Sequence, residues 1–180
     1  MTLRSRSGML FVLSLLLCSP VAAMAQEGTA APLVQRERIA LTLEGAELVL
    51  KVSQAKAREM KKSVNIAIVD DGGHPILFAR MNQARPASSY TALTKAVSAA
   101  TLRAPTGPFG PKDQELNLLL NFSLQNAAEA SGGKMTSLYG GVPIVVDGQV
   151  IGAVGVGGAT GEEDAEIARA GIDALLKQLK

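Results

Sequence analysis

The 180-residue chain contains a single histidine and a single cysteine, and this narrows its chemistry before any fold is considered. His74 stands in Asp70-Asp71-Gly72-Gly73-His74-Pro75, whose paired Asp and Gly residues read as a turn. A neutral imidazole in such a turn is accessible as a metal ligand or as the axial ligand of a haem iron, or else it is a turn residue bonded to nearby backbone. Met81 and Met135 offer thioethers and Tyr90 and Tyr139 phenols as further axial donors, while methionine is also a routine core filler. Arg80, Lys95 and Arg103 are the cations suited to meet haem propionates or another carboxylate, or else they are solvated surface charges.

Other chemistries fail on residue count or spacing. A zinc site needs several His or Cys ligands. A Ser-His-Asp arrangement would have to use His74 as its base, and no serine lies in a G-x-S-x-G context. Asp70, Asp71 or Lys95 could carry a proton in an isomerase or lyase, although Asp-Asp-Gly-Gly is first a turn signal.

The stretch "GAVGVGGATGEEDAE" puts clustered glycines between a strand-like run and a helix start, the place where a dinucleotide is often cradled. Gly155 and Gly157 fit G-x-G-x-x-G, but Thr160 occupies the third position, and only 19 residues follow Gly161. A second strand with a ribose-binding acid has no room, and no Gly-Lys-Ser/Thr follows to make a P-loop. Glu162, Glu163 and Asp164 already satisfy the helix dipole. The glycines are therefore read as a corner where backbone packs closely.

The elements that must position these groups follow from periodicity. Ile39 to Met60 repeats apolar residues at helical spacing, and Val64 to Val69 and Pro75 to Met81 form a β-hairpin around the His74 turn. Residues 88–103 and 112–130 read as helices separated by a Pro- and Gly-rich break. Strands are expected at 134–138, 142–146 and 149–156, the last two joined by Asp147-Gly148. Thr160 and Glu163 make a capping box for a final helix. The expected fold is α/β (α+β), a mainly antiparallel sheet of about five strands with helices packed on it.

Residues 1–25 read as a signal peptide. Arg4 and Arg6 precede a short apolar core, Met9 to Leu17, and Ala23-Met24-Ala25 is a cleavage pattern. The apolar core is well short of the roughly 20 residues that a retained membrane span needs. Cys18 follows bulky Leu17 rather than a small residue, so a soluble exported protein is expected rather than a lipidated one. Residues 26–35 read as a flexible leader, and 36–180 as one domain. Of 18 basic side chains, Arg4 and Arg6 leave with the signal, so 16 face 16 acidic ones. That balance gives no general attraction to nucleic acid, and no stable membrane insertion is expected after signal removal. The expected location is the periplasm or the exterior.

The segments "GGVPIVVDGQVIGAVGVGGATGEEDAEIARAG", "VNIAIVDDGGHPILFARM" and "TKAVSAATLRAPT" resemble the GlcG/HbpS family, which includes the carboxy-terminal domain of PduO-type proteins. The likeness runs over roughly residues 36 to 180. It implies a profilin-like three-layer sandwich, homo-oligomers, and in several members binding of haem or a corrinoid, with no single shared reaction. Where the family often has Met-Asp-Gly-Ala, this chain has Met81-Asn82-Gln83-Ala84, at a turn beside the expected pocket. The resemblance favours an exported haem- or tetrapyrrole-binding protein in binding, storage or sensing, with His74, Arg80, Met81, Lys95 and Tyr139 as cofactor-binding candidates and His74 as the metal ligand. A small-molecule isomerase or lyase and a structural accessory subunit are the alternatives.

Overall fold

The computed structural model describes residues 38–108 and 117–180. The signal peptide and leader read from the sequence, and residues 112–116 of the expected third helix, lie outside the described residues. The order of elements is α1 (Leu43–Glu59), β1 (Asn65–Asp70), β2 (Pro75–Arg80), α2 (Ser88–Leu102), α3 (Leu118–Ala130), β3 (Gly141–Val146), β4 (Gln149–Gly157) and α4 (Gly161–Gln178).

Local chemistry sets the boundaries. Thr42 caps α1 by accepting from the Gly45 N–H at 3.2 Å, which starts the helix four residues after Ile39. Asp147 and Gly148 both adopt positive φ, 47° and 76°, as the two-residue turn between β3 and β4 requires. The Thr160–Glu163 capping box is present in both directions.

Among the described residues four strands form one antiparallel sheet in the order β2-β1-β4-β3. The expected strand at 134–138 does not form, so the sheet has four strands rather than five. The backbone there is satisfied by side chains instead of a ladder. The Thr136 N–H donates to Ser98 Oγ at 2.8 Å, and the Leu138 carbonyl accepts from Thr106 Oγ1 at 2.6 Å.

The two faces of the sheet differ in composition. On one, α1 and α4 cover Ile66, Ile68, Ile144, Val154 and Val156, together with Val49, Ile167 and Ile172. Full burial of each large aliphatic side chain there contributes roughly 1.5–3 kcal/mol. On the other, α2 lies on a thin layer of Ala67, Val69, Ala92, Ala96, Ala99, Ala100 and Ala153. Glycine makes that contact possible, because a Cβ on Gly155 would run into the backbone of Ala92 and Ala96. The glycine run is thus a packing surface for α2.

Candidate functional site

The chemistry-bearing side chains separate into two groups at opposite ends of the sheet. At the β1–β2 turn, Asp70 Oδ1 accepts the backbone N–H groups of Gly72 and His74, both at 2.8 Å. Its Oδ2 lies 3.1 Å from His74 Nδ1, which fixes the ring and leaves Nε2 with no partner among the described residues. The His74 side chain is 82% exposed. Partial burial pushes the Asp70 carboxyl up, but the hydrogen bonds from His74 and Gly72 outweigh it and hold the group below the usual carboxylate range. Asp71, the other candidate proton carrier in this turn, pairs with Arg38.

Phe78 pairs with Ala67 and Arg80 with Asn65, so both point to the α2 side of the sheet. They stand on edge strand β2, where α2 leaves Phe78 exposed. Gly73 abuts Val97 and Thr101 of α2, so the His74 turn closes one end of this open strip. Met81 does not join it, being packed against the core on the α1/α4 side. Tyr90, on α2, is largely exposed.

Lys95 and Tyr139 belong to the other end. Asn65 pairs with Gly157 and Asp70 with Gly152, so the length of β1, about 17 Å at 3.3 Å per residue, separates the two ends. A cleft of about 290 Å³ opens there, lined by Arg85, Lys95, Tyr139, Glu162 and Asp164 among others. Lys95 is buried, its Nζ donating to the Val156 carbonyl and to Asp164 Oδ2, each at 2.8 Å. Asp164 Oδ1 accepts the Ala159 N–H at 3.1 Å. Burial raises the Asp164 carboxyl above its ordinary range, partly offset by the hydrogen bond and charge of Lys95.

The surrounding glycines admit this arrangement. Gly140, at φ +116°, lies where a Cβ would meet Asp164 Cβ at 2.7 Å and Lys95 Nζ at 2.9 Å. The Tyr139 side chain fills the space beside Gly107 and Gly161. Buried Asn65 ties down the approach to α2 by donating to the Arg85 carbonyl at 3.1 Å and accepting from Ser89 Oγ at 3.1 Å. Arg85 then donates its Nε to Ser88 Oγ at 2.9 Å.

Sequence reasoning placed His74 in its turn but missed Arg85 and the partnership of Lys95 with Asp164. One signal was available: Lys95 follows Ala92 and precedes Ala96 and Ala99 on an apolar helical stripe, and a buried lysine needs a carboxylate. A larger cleft, about 340 Å³, lies around Ile39, Leu41, Val146 and Leu175 and has Asp147 as its charged group. No cluster of three or more His, Cys, Asp or Glu side chains suited to a metal ion occurs among the described residues.

Fold and site together define a small mixed α/β domain, helices on both faces of one antiparallel sheet, with its polar machinery at the two sheet ends. Residues 41–173 match the family described as haem degrading protein HbpS-like, and the chain belongs to that family. Protein GlcG of Escherichia coli strain K12 is 37% identical over 121 residues, covering 67% of this chain and 84% of that protein. Among solved structures, Klebsiella pneumoniae ORFY aligns with a TM-score of 0.67 at 27% identity, covering 81% of this chain and 98% of that one. A double mutant of Streptomyces reticuli HbpS aligns at 0.63 and 28% identity, covering 81% and 97%.

Proposed function

We propose that this is an exported haem- or tetrapyrrole-binding protein, with a role in binding, storage or sensing. The observation that carries the reading is His74: exposed, held through Nδ1 by Asp70, and left with Nε2 as a donor. A carboxylate behind the ring is the common support for a ligating imidazole. Phe78 supplies apolar surface for a macrocycle and Arg80 a cation for a propionate, both on the same face of β2. Bound haem would supply a redox-active iron at His74 Nε2. Membership of a family described by haem degradation supports the ligand class. A corrinoid is the alternative macrocycle, and the amino-terminal signal pattern supports export.

Because His74 is the chain's single histidine, a second imidazole on the same iron has to come from another copy. Self-association is part of the proposal. It is supported by α3, which exposes Leu118, Leu119 and Phe122 and carries Glu129 as its one charged residue.

Titration of the purified protein with haemin, followed by absorption, tests the reading. A saturable Soret shift is expected for the parent and its loss in His74→Ala. No shift in the parent overturns haem binding, and an unchanged shift in the variant removes His74 from it. Hydroxocobalamin in the same titration separates the corrinoid alternative. Light scattering of the parent and of Leu119→Glu/Phe122→Glu checks assembly: the variant is expected to be the smaller species.

A further inference from the structure

We propose that β2 is a docking edge for a second copy of this chain, the two strands pairing antiparallel about a two-fold axis at Ala79 so that two sheets become one. The two edges of the sheet differ in what they leave unpaired. Met81 donates its N–H to the Val64 carbonyl, and the β1 register runs on through Ala79 and Leu77. The N–H and carbonyl groups of Phe78 and Arg80 therefore face away from β1. Those four groups have no partner among the described residues, and β1 and α1 are the elements that pack on β2. At the other edge Gly140 accepts from the Val156 N–H, so the alternation turns Gly141 and Pro143 outward. Thr106 closes Gly141 in both directions, donating its N–H to the Gly141 carbonyl at 2.9 Å and accepting the Gly141 N–H on Oγ1 at 2.8 Å. Pro143 has no N–H to offer. A new strand can ladder onto β2 and not onto β3.

Self-complementarity selects the occupant. With Ala79 opposite Ala79 of the second copy, each Phe78 lies opposite the other copy's Arg80, and all the outward groups of both strands meet as hydrogen-bonded pairs. The facing side chains agree with this register. Arg80 has no carboxylate partner among the described residues and shares the α2 side of the sheet with exposed Phe78. Each guanidinium then meets an aromatic ring across the strand pair, and the two arginines are not opposed. The two-fold also sets the Arg80 end of each strand beside the β1–β2 turn of the other copy. That turn holds two carboxylates, Asp70 and Asp71, against one cation, Arg38. A foreign extended peptide offers backbone but not this reciprocal pairing, which belongs to an isologous contact. The edge is distinct from the exposed face of α3, and backbone groups make the contact, so the proposal stands whether or not haem binds.

Disulfide trapping in a Cys18→Ser background, which removes the chain's single cysteine, tests it. An antiparallel pair without mutual hydrogen bonds holds its Cα atoms about 4.5 Å apart, within disulfide reach. Ala79→Cys, oxidised with diamide, is expected to run as a covalent dimer, and Val145→Cys, exposed on the closed edge, as a monomer. The Ala79→Cys dimer is expected to persist when Leu119→Glu/Phe122→Glu is added, which separates edge pairing from association through α3. Phe78→Pro removes an outward N–H and no bond to β1. It is expected to keep the parent's circular dichroism and to be a smaller species by light scattering. No dimer from Ala79→Cys, an equal yield from Val145→Cys, loss of the dimer in the α3 variant, or a parent-sized Phe78→Pro overturns the proposal. Haemin titration is read separately, and its failure overturns the ligand reading and not this one.

Discussion

His74 with Asp70 and Lys95 with Asp164 are chemically similar pairs, each a basic group beside a carboxylate, and the protein treats them in opposite ways. The first lies in a turn, with side-chain exposures of 82% and 40%. The second lies under the β4–α4 corner at 6% and 2%. Water screens the first and makes its geometry a matter of orientation. Burial makes the second costly to leave incomplete, because either charge alone would be stranded in a low dielectric. An exposed pair can thus present a donor to a ligand at little cost to the fold, while a buried pair joins helix to helix and shapes a cavity.

The largest expected effect attacks the buried pair. Asp164→Ala is expected to lower unfolding free energy by about 3–5 kcal/mol by stranding Lys95, measured by urea denaturation. Lys95→Met/Asp164→Leu is expected to recover most of that loss. If Asp164→Ala cost no more than a surface substitution, the contrast between the two ends would collapse.

A smaller effect comes from pushing α2 off the sheet. Gly155→Val puts a side chain into the Ala92 and Ala96 backbone, with an expected cost of about 1–3 kcal/mol by the same denaturation.

The smallest effect concerns the exposed pair and depends on pH. Asp70 has a depressed folded pKa, so its contribution is present above the ordinary carboxylate value, about 3.9, and is lost as pH falls through the folded value. Asp164 has a raised folded pKa, so keeping it ionised beside Lys95 carries a desolvation cost that grows as pH rises from the ordinary value through the raised one. The parent is therefore expected to be more stable than Asp70→Asn at pH 7, with the gap narrowing as pH falls below the ordinary carboxylate value, read from urea midpoints. A gap that widens toward acid would reverse the sign assigned to Asp70.

Much of the fold was legible because its signals are local. The Asp147-Gly148 turn, the Thr160–Glu163 box and the hairpin around His74 are each set by residues within a few positions of one another. The strand expected at 134–138 failed for a tertiary reason. Ser98 and Thr106 bond that backbone from 38 and 32 positions away, and no pattern inside the segment announces them. The cleft was harder still, since Arg85, Lys95, Tyr139 and Asp164 come from four separate parts of the chain. Asp164 in particular looks from the sequence like an ordinary acid of a first helical turn, yet its carboxylate is directed to a lysine 69 residues away.

The alanine and glycine face under α2 also bears on how the molecule opens. It buries little apolar area per residue, while the α1/α4 face is built from isoleucine, valine and leucine. Since local opening tracks buried apolar contact, the α2 amides are expected to exchange hydrogen for deuterium earlier than those of α4. The layer that touches both polar ends of the sheet is then also the one that loosens first.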